Sequence, residues 1–206
     1  MSIATRVPAV GDAAASLSSF AAAHGLEPVP VLAAGPLTPL LVESGAGRIE
    51  PAAQGQLGDG VSGALGRLVY TRNKTFRFAV ALTEVPASTP FVPRLFCVRA
   101  GRHTRDDEFY GFEARYSRLW TESVALNDRY RIAISPYQDE NWLRQLFSPA
   151  FVDWLASDAP ESFSFELAYG ALLCSTEDAD PDEAALAGLA AATAAVTRRI
   201  RRECEE

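Results

Sequence analysis

A chain of 206 residues with 48% hydrophobic and 22% charged residues has the balance of a soluble globular protein and can bury one real core. Three cysteines (Cys97, Cys174, Cys204) without metal-ligand spacing, with only His24 and His103 to assist them, exclude a zinc site or a disulfide framework and point to a reducing, cytoplasmic compartment. The net charge of -7 is uneven: 12 basic and 7 acidic residues lie between Arg67 and Arg131, which leaves 7 against 19 elsewhere and makes the middle of the chain electropositive.

The opening "MSIATRVPAVGDAAASL" lacks the basic and then apolar pattern of a signal peptide. Asp12 and Gly25 bracket a short helix docked through Leu17 and Phe20. His24 at its end is a capping residue. From Ala21 to Val69 the chain has no aromatic residue and nine of its 14 glycines, so residues 27 to 62 read as a peripheral arm. The expected organisation is therefore an N-terminal helix and arm over 1–62 and a single α+β domain over 63–206. "GAGRIE" and "GQLGDG" lack the lysine and the preceding strand of a phosphate loop.

Beyond Gly66 the period becomes two. In "TFRFAVALTEV", Phe76, Phe78, Val80 and Leu82 share one face and Arg77, Ala79, Ala81 and Thr83 the other, a half-buried strand. "RLVYT" is its partner across the turn "RNK", and "RLFCVRA" is a third strand. "RHTRDDEFYGFEARYSRLW" stays open between a short helix and a loop. "ESVALNDRYRIAIS" reads as a hairpin with a three-residue turn at Asn127-Asp128-Arg129, because that register gathers the apolar residues on one face. "SFSFELAYGALLCS" reads as a second hairpin whose two-residue turn, Tyr169-Gly170, opposes Leu167 with Leu172 and Phe165 with Cys174. Cys174 is then a core thiol.

Ser135-Pro136-Tyr137-Gln138 is a capping box, and Ser148-Pro149 repeats the serine and proline of that device. The stretch between them predicts a two-helix corner whose apolar faces, Trp142, Leu143, Leu146, Phe147 and then Phe151, Trp154, Leu155, cover a sheet. Asp180-Pro181-Asp182-Glu183 opens a long C-terminal helix that ends in Arg198, Arg199, Arg201 and Arg202. The stretch Ala184 to Thr197 falls short of the roughly 20 apolar residues that a membrane span needs. The seam Leu186, Leu189, Thr193, Val196 and Ile200 is narrow and flanked by alanine, which suits helix-on-helix contact with residues 12 to 24 or with a second copy in a homodimer.

The chemistry-bearing candidates are few. Asp139, Glu140 and Asp153 have no histidine or cysteine beside them and read as helix-end charges. Cys97 alternates with Leu95 on a strand and reads as an inert buried thiol. His103 with Asp106, Asp107 or Glu108 reads as a solvated loop. The stronger candidate is a basic patch on the outer face of the sheet: Arg77 and Arg131, flanked by Arg72, Arg99 and Arg129, able to hold an anionic ligand, a lipid head group or an acidic partner. No aromatic platform accompanies it, so nucleic acid is not an expected partner. No cofactor site is expected either.

At "ESVALNDRYRIAISPYQDENWLRQLFSPAFVDWL" the chain resembles a large uncharacterised bacterial family, mainly actinobacterial, with a domain of unknown function. Its members share a Glu-Ser pair, an Asn in a strand-turn-strand, an alternating strand and an "L-(F/L)-(S/T)-P" helix junction. These correspond here to Glu122, Ser123, Asn127, Tyr130, Ile132, Leu146, Phe147, Ser148 and Pro149. "FAAAHGL", Phe20 to Leu26, is similar to that family's opening, with Leu26 departing from its usual aromatic. The resemblance implies no catalytic residue. The expectation is an α+β fold, with an antiparallel sheet of about five to seven strands covered by the two-helix corner and the C-terminal helix. The expected function is a non-catalytic cytoplasmic interaction or regulatory module, with an unknown protein partner or peripheral contact with a membrane.

Overall fold

The structure, a computed structural model, describes residues 11–35, 37–45, 47–71, 74–85, 94–101, 116–136, 139–178 and 180–205. In chain order the elements are α1 (Gly11–His24), β1 (Glu27–Val29), β2 (Leu32–Ala33), α2 (Pro39–Glu43), β3 (Arg48–Ile49), β4 (Ala52–Gly58), β5 (Val61–Thr71), β6 (Thr75–Glu84), β7 (Leu95–Arg99) and β8 (Ser117–Leu119). There follow α3 (Val124–Arg129), β9 (Tyr130–Ile134), α4 (Glu140–Leu146), α5 (Pro149–Ser157), β10 (Ser164–Ala168), β11 (Ala171–Thr176) and α6 (Glu183–Glu205). Nine strands form one antiparallel sheet in the order β1-β4-β5-β6-β11-β10-β7-β9-β8, and β2 pairs with β3 separately. The α+β architecture, the large antiparallel sheet and the C-terminal helix are as the sequence predicts; the sheet is wider.

Both sheet faces are buried. On the helical face, Leu65, Ala79, Ala81, Leu95, Cys97, Ile132, Phe165, Leu167, Leu172 and Cys174 pack with apolar residues of α1, α4, α5 and α6. On the opposite face, Leu68, Tyr70, Phe78, Val80, Phe96, Val98 and Leu173 lie under Leu40 and Leu41 of α2 and Ile49 of β3. This reassigns the alternation in β6. The row Phe78 and Val80 faces α2, and the alanine row faces the helices. What reads as inside and outside is large and small, because α6 crosses directly over β6 and small residues let the helix come close.

Residues 27 to 62 are not a peripheral arm. β1 pairs with β4 and β4 with β5, and Ser62 at the expected boundary sits inside β5 opposite Gln56. The glycines misled the reading because they serve close packing. A Cβ on Gly66 would stand 2.5 Å from both Ile49 Cγ2 and Pro51 O, so only glycine lets β3 and the chain entering β4 lie against β5.

The hairpin β10–β11 forms as predicted, with Phe165 opposite Cys174 and Leu167 opposite Leu172. Tyr169 and Gly170 both have positive φ, 52° and 77°, the signature of a two-residue turn matched to strand twist. The other predicted hairpin does not form. Ser123 accepts a hydrogen bond from Leu126 N at 3.2 Å and caps α3, so 124–129 is helical and β9 pairs instead with β8 and β7. The local cap outcompetes strand pairing because it satisfies an N–H that a helix start exposes.

The two-helix corner is present, with a corrected start. Asp139, not Ser135, caps α4, accepting from Asn141 N at 2.7 Å and Trp142 N at 3.0 Å. Ser148 and Pro149 open α5 as expected. The α6 seam is occupied within the fold: Leu186, Leu189, Thr193, Val196 and Ile200 are all buried, against α1, α4 and strands β4, β5, β6 and β11. Of the two contacts foreseen for it, the one with residues 12 to 24 is made, and the five seam residues are buried within the single chain. The terminal arginines are tied to neighbouring elements: Arg198 pairs with Asp59 at 2.7 Å, Arg199 donates to Leu146 O at 3.3 Å and Arg201 to Glu84 O at 3.1 Å.

Candidate functional site

The predicted basic patch is divided by the sheet. Arg77 follows the alternation of Ala79 and Ala81 and so points to the helical face, exposed beyond the end of that core. Arg131 follows Ala133 and sits opposite Val98, on the α2 face. Strands β11, β10 and β7 also stand between β6 and β9, a gap of about 19 Å at ~4.8 Å per strand. One ligand cannot bridge opposite faces, so Arg77 and Arg131 do not share a site. Arg72 lies outside the described residues, as do His103, Asp106, Asp107 and Glu108.

Arg99 and Arg129 do converge. Arg99 pairs with Tyr130 across β7 and β9, and Ala100 N donates to Arg129 O at 2.9 Å, closing the ladder one residue further on. The Arg99 guanidinium lies 5.7 Å from the centre of the Tyr130 ring, a cation–π contact. Arg129 donates through Nη1 to the Ala156 carbonyl in the last turn of α5, where a cation is favoured. Tyr130 is 1% exposed. Burial pushes its phenol above the ordinary range, Cys97 adds to this and Arg129 pulls it back, so it stays a neutral donor. Arg99 Nη1, Arg129 Nε and Tyr130 Oη are buried and make no hydrogen bond.

The opposite side of the same corner carries a feature that the sequence reading missed. Arg118 stacks over Trp120 at 3.6 Å from the ring centre, and Trp120 is 63% exposed. Val124, at the start of α3, is 72% exposed. The signal lay in the spacing: Arg118 on β8 and Trp120 just past its end are two apart, so extended backbone puts them on one face. Asn127 holds this loop, accepting from Thr121 N at 3.0 Å and donating to Thr121 O at 2.7 Å. Ser123 and Asn127 are thus cap and clamp. Asn127→Ala removes both bonds, and urea unfolding is expected to show a loss of about 1–3 kcal/mol; an unchanged midpoint would remove the clamp from the account.

Cys97 and Cys174 offer no nucleophile. Cys97 and Cys174 are fully buried. Burial, with Cys174 nearby, raises the Cys97 pKa, and burial pushes Cys174 up to about 12 against the lowering effect of the Thr193 hydroxyl. Both remain thiols at neutral pH. Asp139 is spent on its cap, and His24 stacks on Phe20 with Nδ1 3.0 Å from the Phe20 carbonyl.

No family model matches the chain, and no curated protein matches it. Among solved structures, the chain is similar to the crystal structure of the mycobacterial trehalose monomycolate transport factor A, TtfA, at 12% sequence identity, with 92% of each chain covered and a TM-score of 0.59. At that identity the likeness is one of fold. It spans nearly the whole chain, and the protein shares its overall fold with TtfA.

Proposed function

We propose that the protein is a non-catalytic interaction module of the cytoplasm that docks a protein partner through the β8–α3 corner. The observation that carries this reading is the Arg118–Trp120 stack, an exposed aromatic and a guanidinium held on a clamped loop. Tryptophan and arginine dominate the binding energy of protein interfaces, and a rigid loop lowers the ordering cost of docking. TtfA, by its name a factor in the transport of trehalose monomycolate, has this fold, which supports a role beside a transport or assembly machine. Among the described residues no helix is long and apolar enough to cross a membrane, so such a role would be reached by docking. The resemblance to the bacterial family of unknown function at 122–155 includes α3 of this corner.

The test is tagged purification from the native cell with the wild-type chain and with Trp120→Ala. The exposed tryptophan contributes little to folding, so its melting curve should shift by less than the equivalent of about 0.5 kcal/mol. Partner affinity should fall by about 30-fold or more, the loss of a 2 kcal/mol anchor. Identical partners bound equally well by both chains would reject the corner as the contact. Turnover of a substrate in hydrolase or transferase panels would reject the non-catalytic reading.

A further inference from the structure

The end of β7, the end of α3 and the start of β9 hold three hydrogen-bond donors with no acceptor: Arg99 Nη1, Arg129 Nε and Tyr130 Oη. Buried donors without partners are rare in folded proteins, because each costs on the order of 1–3 kcal/mol of lost hydration. Here three occur close together: Arg99 faces Tyr130 across the ladder, and Arg129, the last residue of α3, accepts at its carbonyl from Ala100 N. Two of them carry full positive charge. Among the described residues no carboxylate forms an ion pair with either arginine, in a chain whose net charge is -7.

The acceptors that are present are already used in part. The Ala156 carbonyl takes Arg129 Nη1, and the Tyr130 ring face takes the Arg99 cation. Neither relieves the three donors. A water molecule can accept two hydrogen bonds but leaves both guanidinium charges without a counter-charge in a medium of lowered dielectric. A small oxyanion accepts from all three and neutralises charge as well.

We propose that Arg99, Arg129 and Tyr130 form a binding site for a small oxyanion, a phosphate or carboxylate group carried by a soluble ligand. Both arginines keep part of their surface in solvent while their unsatisfied nitrogens are buried. A lipid head group is the less suitable source because it stays anchored at a membrane surface, whereas Tyr130 lies within the sheet and helix layer. The site is independent of the Arg118–Trp120 docking surface: Tyr130 belongs to the helical face, and Arg118 pairs with Ala133 on the α2 face.

Calorimetric titration of the full chain with inorganic phosphate and with acetate, at low chloride, tests the proposal. Saturable binding of at least one is expected. Tyr130→Phe removes only the hydroxyl, so the ligand-free melting temperature should stay the same or rise, while affinity falls about tenfold, the value of one good hydrogen bond to an anion. Arg99→Lys keeps a charge but loses the buried Nη1 and should weaken binding by a similar factor, whereas Arg77→Gln should leave it unchanged. Three results overturn the proposal: no saturable heat with either anion, equal affinity in Tyr130→Phe, or a Tyr130→Phe chain that melts lower without ligand, which would show that an ordered water already satisfies the hydroxyl. Vesicles of anionic lipid that bind in a Tyr130-dependent way while both free anions do not would assign the site to a head group and overturn the soluble source.

Discussion

Leu189→Arg is expected to leave no cooperatively folded protein. Leu189 is completely buried in the α6 seam, where the helix lies against four strands of the sheet and against α1 and α4. Substitution removes one fully buried leucine, worth about 2–5 kcal/mol with its cavity, and asks an arginine head group to enter a core with no acceptor prepared for it. The combined loss exceeds about 5 kcal/mol, which is comparable to the whole stability of a domain. Circular dichroism and urea unfolding would read it. Ala191→Arg, at an exposed position on the same helix, should change stability by no more than about 0.5 kcal/mol. A Leu189→Arg chain that melts cooperatively near the wild-type temperature would mean that α6 does not pack as described.

Glu166→Ala should cost about 3 kcal/mol and should loosen one particular segment. Glu166 is a fully buried carboxylate in β10, and its Oε2 accepts from Leu40 N at 2.9 Å. The bond reaches across 126 residues of sequence and ties α2 to the face of the sheet. Thr38 precedes α2 without making a side-chain cap, so Glu166 does from another strand what a local cap usually does. Alanine removes this buried hydrogen bond, worth about 0.5–1.5 kcal/mol, and strands a buried N–H at a further cost of about 1–3 kcal/mol. Hydrogen exchange should show α2 and the β2–β3 pair opening more readily, while β10 and β11 keep more of their protection. Glu166→Gln retains an oxygen for Leu40 N and should recover most of the protection of α2. Uniform loosening of the whole fold would instead make Glu166 a general core residue.

That distant bond also shows why part of the fold was legible and part was not. The β10–β11 register follows from one local fact, a Tyr-Gly pair that tolerates positive φ between strands whose apolar residues must share faces. The start of α5 follows from Ser148-Pro149 in the same way, and the long reach of α6 from an acidic first turn and arginines at the end. These signals act over a few residues and need no tertiary partner. Residues 122 to 134 carry conflicting local signals, strand alternation against a serine cap, and the cap at Ser123 prevailed because β8 was available to pair with β9 in place of 122–126.

The sequence by itself determined the α+β class, the predominance of antiparallel pairing, the two-helix corner and the core identity of Phe78, Val80, Ile132, Phe165 and Leu167, since each rests on periodicity or turn chemistry written within one segment. Only the tertiary structure decided that residues 27 to 62 complete the sheet and cover its second face, because glycine is silent about what lies against it. It alone decided that the alanine row of β6 is buried, because a small side chain looks the same facing solvent or a crossing helix. It also separated Arg77 from Arg131 and joined Arg99 to Arg129 and Tyr130: which face a residue shares with a residue on a distant strand depends on strand order and register across the whole sheet, and no single segment contains that information.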